Sequence, residues 1–103
     1  MSKYKSKLQN DDIDYLWDAV LSLKTKEECY KFFEDLCTIN EIKAMEQRFH
    51  VAKMLKNKNI YTEISHVTGA STATISRVNR CLNYGAGGYS QILDRIGWKE
   101  DKK

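Results

Sequence analysis

The chain has 103 residues, 42% hydrophobic and 30% charged, with a formal net charge of +3, a size that fits one compact domain spanning residues 1–103 rather than two. Residues 1–40 carry six Lys against eight acids, whereas residues 41–103 carry eleven Lys and Arg against six, so the C-terminal half is the basic one and points to an anionic partner, nucleic acid first. There is no run of about 18 apolar residues, and Lys3, Lys5 and Lys7 lead into Asp11, Asp12 and Asp14, so neither a membrane span nor a secretory signal is read and a cytoplasmic location is expected.

Proline is absent and glycine scarce, which favours an all-α fold of about six helices. From Ile13 the apolar residues fall at Leu16, Trp17, Val20 and Leu21, an amphipathic helical stripe that Asn10 or Asp11 can cap. Thr25 with Glu28 forms a capping box ahead of Cys29, Phe32, Phe33 and Leu36. The same grammar at Thr38 and Glu41 opens a longer helix with the stripe Ile42, Met45, Phe49, Ala52 and Leu55, ending near Lys56. After the polar break Asn57-Lys58-Asn59, a short fourth helix carrying Ile64 and Val67 ends at Gly69. Ser71 then caps a fifth helix with Ile75, Val78 and Leu82 inward. The run Tyr84 to Tyr89 reads as a glycine-rich flexible loop and hinge, followed by a last short helix with Ile92, Leu93 and Ile96. The charged ends, 1–10 and 99–103, read as flexible.

Residues 61–82 thus form a helix-turn-helix pattern with its turn at Thr68-Gly69-Ala70-Ser71. The outer face of its second helix is Ser71, Thr72, Ala73, Thr74, Ser76, Arg77 and Arg80. Small residues at the start of that helix allow close approach to base edges in a major groove, with Thr72 and Thr74 reading bases and Arg77 and Arg80 holding phosphate. A plain helical hairpin is the alternative on pattern alone. Lys53, Lys56 and Lys58 fit phosphate contacts or a solvated helix end equally well.

Other chemistry finds little support. His50 and His66 have no Cys or acid at metal-ligand spacing, so no metal site is expected. No nucleophile sits on a glycine elbow, and Gly85, Gly87 and Gly88 follow a helix without a Lys-Ser/Thr ending, which excludes a P-loop, so no enzyme is read. Cys29, Cys37 and Cys81 are odd in number with no C-x-x-C pair, as plain thiols in a reducing compartment are. The aromatic side chains of the first three helices exceed what such short helices bury among themselves, which suggests a dimer interface.

The run from Thr38 to Leu82, with Thr38, Glu41, Ala44 and Arg48, then Gly69-Ala70, Ala73-Thr74-Ile75 and Arg77, resembles the Trp repressor superfamily; the Tyr84 to Tyr89 loop resembles its YerC/YecD-type branch. The resemblance implies an intertwined helical homodimer placing two helix-turn-helix units in successive major grooves of duplex DNA, with half-sites about 34 Å apart. It further implies an effector site in which Arg48 and Arg77 meet a ligand carboxylate and Thr38 contributes a contact. Val78 and Cys81 depart from the glycine and serine of the tryptophan binders; a valine side chain overpacks a wall fitted to an indole. No tryptophan or other cofactor is therefore expected. The function these residues imply is that of a sequence-specific transcriptional regulator of the repressing kind. The alternatives are a regulator switched by a small carboxylate-bearing effector at Arg48 and Arg77, and a module of the same fold that docks proteins.

Overall fold

A computed structural model describes residues 4–99, and the expected charged end at 99–103 lies, apart from Lys99, outside the described residues. Six helices are present and no strand occurs among the described residues, as the sequence leads one to expect: α1 (Asp11–Leu21), α2 (Lys26–Leu36), α3 (Ile39–Lys56), α4 (Tyr61–Thr68), α5 (Thr72–Tyr84) and α6 (Gly88–Ile96). They fall into two compact units that divide after Thr38.

The first unit holds α1 and α2. Asn10 is the cap of α1, its side chain accepting the Ile13 N–H at 2.8 Å, and Asp11, Asp12 and Asp14 place negative charge at the positive end of the helix. Thr25 caps α2 by accepting the Glu28 N–H at 3.1 Å, while the Glu28 carboxylate takes the N–H of Lys24 at 2.9 Å, one residue before the usual partner in a capping box. Neither helix contains a fully buried residue, and Tyr15, Trp17, Leu21, Tyr30 and Leu36 are all exposed.

The second unit packs α4, α5 and α6 against α3 around Val51, Ala52, Met54, Ile64, Ala70, Ile75, Val78 and Leu93. The expected inward positions of α5 hold, with Ile75 and Val78 buried and Leu82 packed against the core. In α3 the buried set shifts: Val51 and Met54 join Ala52 inside, whereas Met45 is exposed. Helices on several sides of its C-terminal half bury more than a single stripe. Val67, Ile92 and Ile96 prove exposed, so α4 and α6 anchor through Ile64 and Leu93. The glycine-rich loop is shorter than its composition suggests, since α5 continues through Tyr84 and α6 starts at Gly88.

The polar break after α3 is an ordered cap. Lys58 takes a left-handed φ of 63°, its N–H bonds Leu55 O at 3.0 Å, and the Asn59 N–H reaches back to Met54 O at 3.1 Å. This is the Schellman arrangement, with lysine where glycine is usual. A Cβ in that conformation is strained. Lys58→Gly is therefore expected to raise stability by about 0.5–1 kcal/mol, the relief of strain outweighing the added freedom of the unfolded chain. Urea unfolding measures it; a lower midpoint would contradict the assignment.

Candidate nucleic-acid interface

The turn between α4 and α5 is pinned from several sides. Gly69, at φ 74°, closes α4 with its N–H on Ser65 O, a left-handed cap that glycine adopts without a Cβ penalty. The Thr68 hydroxyl donates to Ile64 O at 2.7 Å and accepts the Ala70 N–H at 3.1 Å, while the Ser65 hydroxyl donates to Ala70 O at 2.8 Å. From α3, the Gln47 amide donates to Thr68 O at 3.1 Å, and Ala70 is buried in the core. These bonds fix the direction in which α5 leaves the turn.

Ser71 caps α5, accepting the Thr74 N–H at 3.1 Å and donating its own O–H to Thr74 Oγ1 at 3.1 Å. Thr74 is accordingly half-buried with its hydroxyl engaged in the cap, less available than the sequence reading has it. Ser71, Thr72, Ala73, Ser76, Arg77 and Arg80 are exposed. With Ile75, Val78 and Leu82 inward, helical geometry turns Ala73, Arg77 and Arg80 to the opposite side. Thr74, Arg77 and Cys81 follow one flank and Ser76, Asn79 and Asn83 the other. Neither Arg77 nor Arg80 has an acidic partner among the described residues. The outer face is therefore slim at its start and carries two unneutralised guanidinium groups farther along, a form that admits close approach to a polyanion.

The effector candidates Thr38, Arg48 and Arg77 differ in exposure. Thr38 is exposed at the end of the first unit, while Arg48 is half-buried on α3 and Arg77 exposed on α5, both in the second. Val78 is fully buried among the core side chains. Cys81 instead lines an open apolar groove of about 440 Å³ with Phe49, Tyr89 and Ile92, where the Phe49 and Tyr89 rings stack at 6.4 Å between centroids. The cysteines among the described residues are free thiols, no cluster of three or more His, Cys, Asp or Glu suited to a metal is found there, and no helix is long and apolar enough to cross a membrane.

Two features escape a reading of the sequence alone. Gln47 reaches a carbonyl 21 residues away, and the second cleft beside α5, described below, gathers residues from both ends of the unit. Periodicity carries no signal for either, since both arise from tertiary contacts between residues far apart in the chain.

The Trp repressor protein family model matches residues 11–97. The chain is 58% identical over 90 residues to the uncharacterised protein YerC of Bacillus subtilis (strain 168), covering 87% of this chain and 86% of that protein. Among solved structures it is similar to a TrpR-like protein from Eubacterium eligens, with a TM-score of 0.89 at 55% identity over 92% of this chain and 98% of that one. A candidate Trp repressor from Staphylococcus aureus gives a TM-score of 0.87 at 50% identity, covering 92% and 95% of the two chains. The chain belongs to the Trp repressor family, a family of DNA-binding regulators.

Proposed function

We propose that the protein is a sequence-specific duplex-DNA-binding repressor of transcription that acts as a homodimer in the cytoplasm. The observation that carries this reading is the exposed face of α5 with small residues Thr72 and Ala73 leading to the unpaired Arg77 and Arg80, all on a turn locked by Gly69 and Gln47. In this reading Thr72, Ala73 and Ser76 meet base edges from the N-terminal end of α5, Thr74 supports them through the cap, and the arginines hold phosphate. Dimerisation is supported by the first unit, whose two helices bury no residue completely and expose Trp17 by 51% and Leu21 by 82%. An isolated pair of helices with so little burial gains too little to offset its chain entropy, so that surface needs a cover. Light scattering coupled to size exclusion tests it, a monomer mass counting against the dimer.

Selection from a random duplex pool at near-physiological salt, without added ligand, tests the reading as a whole. Enrichment of a palindrome with half-sites about one helical turn apart supports it, and no enriched sequence refutes autonomous recognition. Arg80→Ala is expected to weaken all duplexes alike and to lower the salt slope of binding by about one. A changed sequence preference would reassign Arg80 from phosphate to base contact.

The ligand-switched reading is favoured by one observation. Cys81 and Phe49 line an open apolar groove, and each lies near an arginine in sequence, Cys81 one turn after Arg77 and Phe49 next to Arg48. A carboxylate-bearing small molecule is the matching effector. Tryptophan itself does not match this site, because Val78 fills space that a glycine would leave open. Saturable thermal stabilisation across a panel of carboxylate metabolites tests this, and no shift counts against it.

A further inference from the structure

On the flank of α5 that carries Asn79 and Asn83, away from the apolar groove, a second cleft of about 310 Å³ opens toward the end of α3. Lys56, Lys58, Asn79, Asn83, Ser90 and Trp98 line most of it. We propose that this cleft is a binding site for a small phosphate-bearing ligand, held by Lys56, Lys58, Asn79 and Ser90.

Among these donors Lys56 is held by its neighbours. Lys56, with only 21% of its side chain exposed, lies 3.6 Å from the Asp94 carboxylate and 5.1 Å from the centre of the Trp98 ring. Trp98 is itself fixed, its indole N–H donating to Asp94 at 2.9 Å and its carbonyl accepting from the Asn57 amide at 2.8 Å. The Asn83 amide donates to Asn79 O at 2.9 Å and to Asn79 Oδ1 at 3.3 Å, which orients the Asn79 amide by its oxygen. The Lys58 ammonium, the Asn79 NH₂ and the Ser90 hydroxyl donate no hydrogen bond among the described residues. Asp94 offsets one of the two lysines and Lys58 supplies the excess positive charge.

Three neighbouring main-chain acceptors are already occupied, while the buried Asn59 Oδ1 has no partner among the described residues. The last carbonyls of α3 that would otherwise attract a cation are taken, Lys53 O by the Asn57 N–H and side chain, Met54 O by Asn59, and Leu55 O by Lys58. The two lysine ammonium groups, with the Asn79 NH₂ and the Ser90 hydroxyl, give the recess an excess of donors and of positive charge, which suits a compact oxyanion. Lys58 holds its position at a conformational cost that glycine would avoid, so a lysine there has a use beyond ending α3. A small ligand is favoured over a DNA backbone phosphate because the cleft lies on the Asn79 and Asn83 flank of α5, not on the Ala73, Arg77 and Arg80 face that the DNA-binding reading uses. The proposal does not depend on the DNA-binding reading.

The test is a titration of the full chain with inorganic phosphate, and separately with a small phosphomonoester, at constant ionic strength set with chloride, followed by thermal unfolding and by indole fluorescence. A saturable response to either probe is expected, with the apparent Kd raised about tenfold or more in Lys58→Gly and in Ser90→Ala and unchanged in Lys53→Ala. Lys58→Gly is the decisive variant because relief of the left-handed strain keeps it folded, so its lost affinity is not lost structure. Absence of a saturable response in the unmodified protein overturns the proposal, as does an equal response in Lys58→Gly. A Lys58→Gly protein that binds duplex DNA more weakly while the unmodified protein ignores both free probes would assign the cleft to a backbone phosphate and overturn it too.

Discussion

Ala73→Glu is expected to lower affinity for a selected duplex by about a hundredfold or more while leaving the melting temperature unchanged or slightly raised. Ala73 is exposed in the first turn of α5 and, with Ile75 and Val78 inward, points away from the core. In the proposed complex a glutamate there meets the groove floor and walls, where it fills space kept open by a methyl group and adds a negative charge among phosphates. Like-charge placement of that kind costs several kcal/mol when little water intervenes. For folding the same substitution is benign, because alanine and glutamate are both good helix formers and a carboxylate in the first turn is favoured by the helix dipole. Fluorescence anisotropy with the selected duplex, set beside a melting curve, separates the two effects. Undiminished binding by a folded Ala73→Glu protein would remove the start of α5 from the interface.

That prediction can be made because the helix ends, those of the helix-turn-helix included, are built from local signals. Asn10, Thr25 and Ser71 each cap the helix that follows them, and Gly69 takes the left-handed conformation that its place between two helical patterns requires. Such features depend on residues three or four positions apart, so they are legible in a single chain. Lys58 was not legible as a cap, since lysine gives no sign of a left-handed conformation; the bonds from Lys58 and Asn59 back to α3 reveal it. The inner face of α3 was only partly legible. Its stripe through Ala52 and Leu55 is present, but Val51 and Met54 are buried because other helices pack on more than one side. The donor cleft was hidden for a different reason, in that Asn57 and Trp98 meet across 41 residues and only the folded second unit brings Lys56 to the Trp98 ring. For the arginine pair, sequence resemblance gave a role in terms of a ligand; the fold gives Arg77 an exposed place and Arg48 a half-buried one.

The segment between α5 and α6 yields a contrast of opposite signs from two glycines three positions apart. A Cβ built on Gly85 would lie 2.5 Å from Cys81 O and 3.0 Å from Cys81 Cα, both backbone atoms that cannot swing aside. The Gly85 N–H bonds that same carbonyl at 2.9 Å as the last bond of α5, so relieving the clash loosens the end of the helix. Gly85→Ala is thus expected to destabilise by about 1–3 kcal/mol, the usual cost of overpacking against a rigid neighbour, or a fall in Tm of about 4–8 °C per kcal/mol for a chain of this size. A Cβ on Gly88, by contrast, meets nothing within 4 Å, and Gly88 is the first residue of α6 with no positive φ to preserve. Gly88→Ala should therefore stabilise by about 0.4–1 kcal/mol, since alanine narrows the unfolded ensemble and favours the helix. If the segment served as a freely moving hinge, both substitutions would act through chain stiffness and shift stability in the same direction. Opposite shifts in paired urea titrations would establish that Gly85 is required by close packing of the end of α5, which in turn holds Cys81 at the edge of the apolar groove.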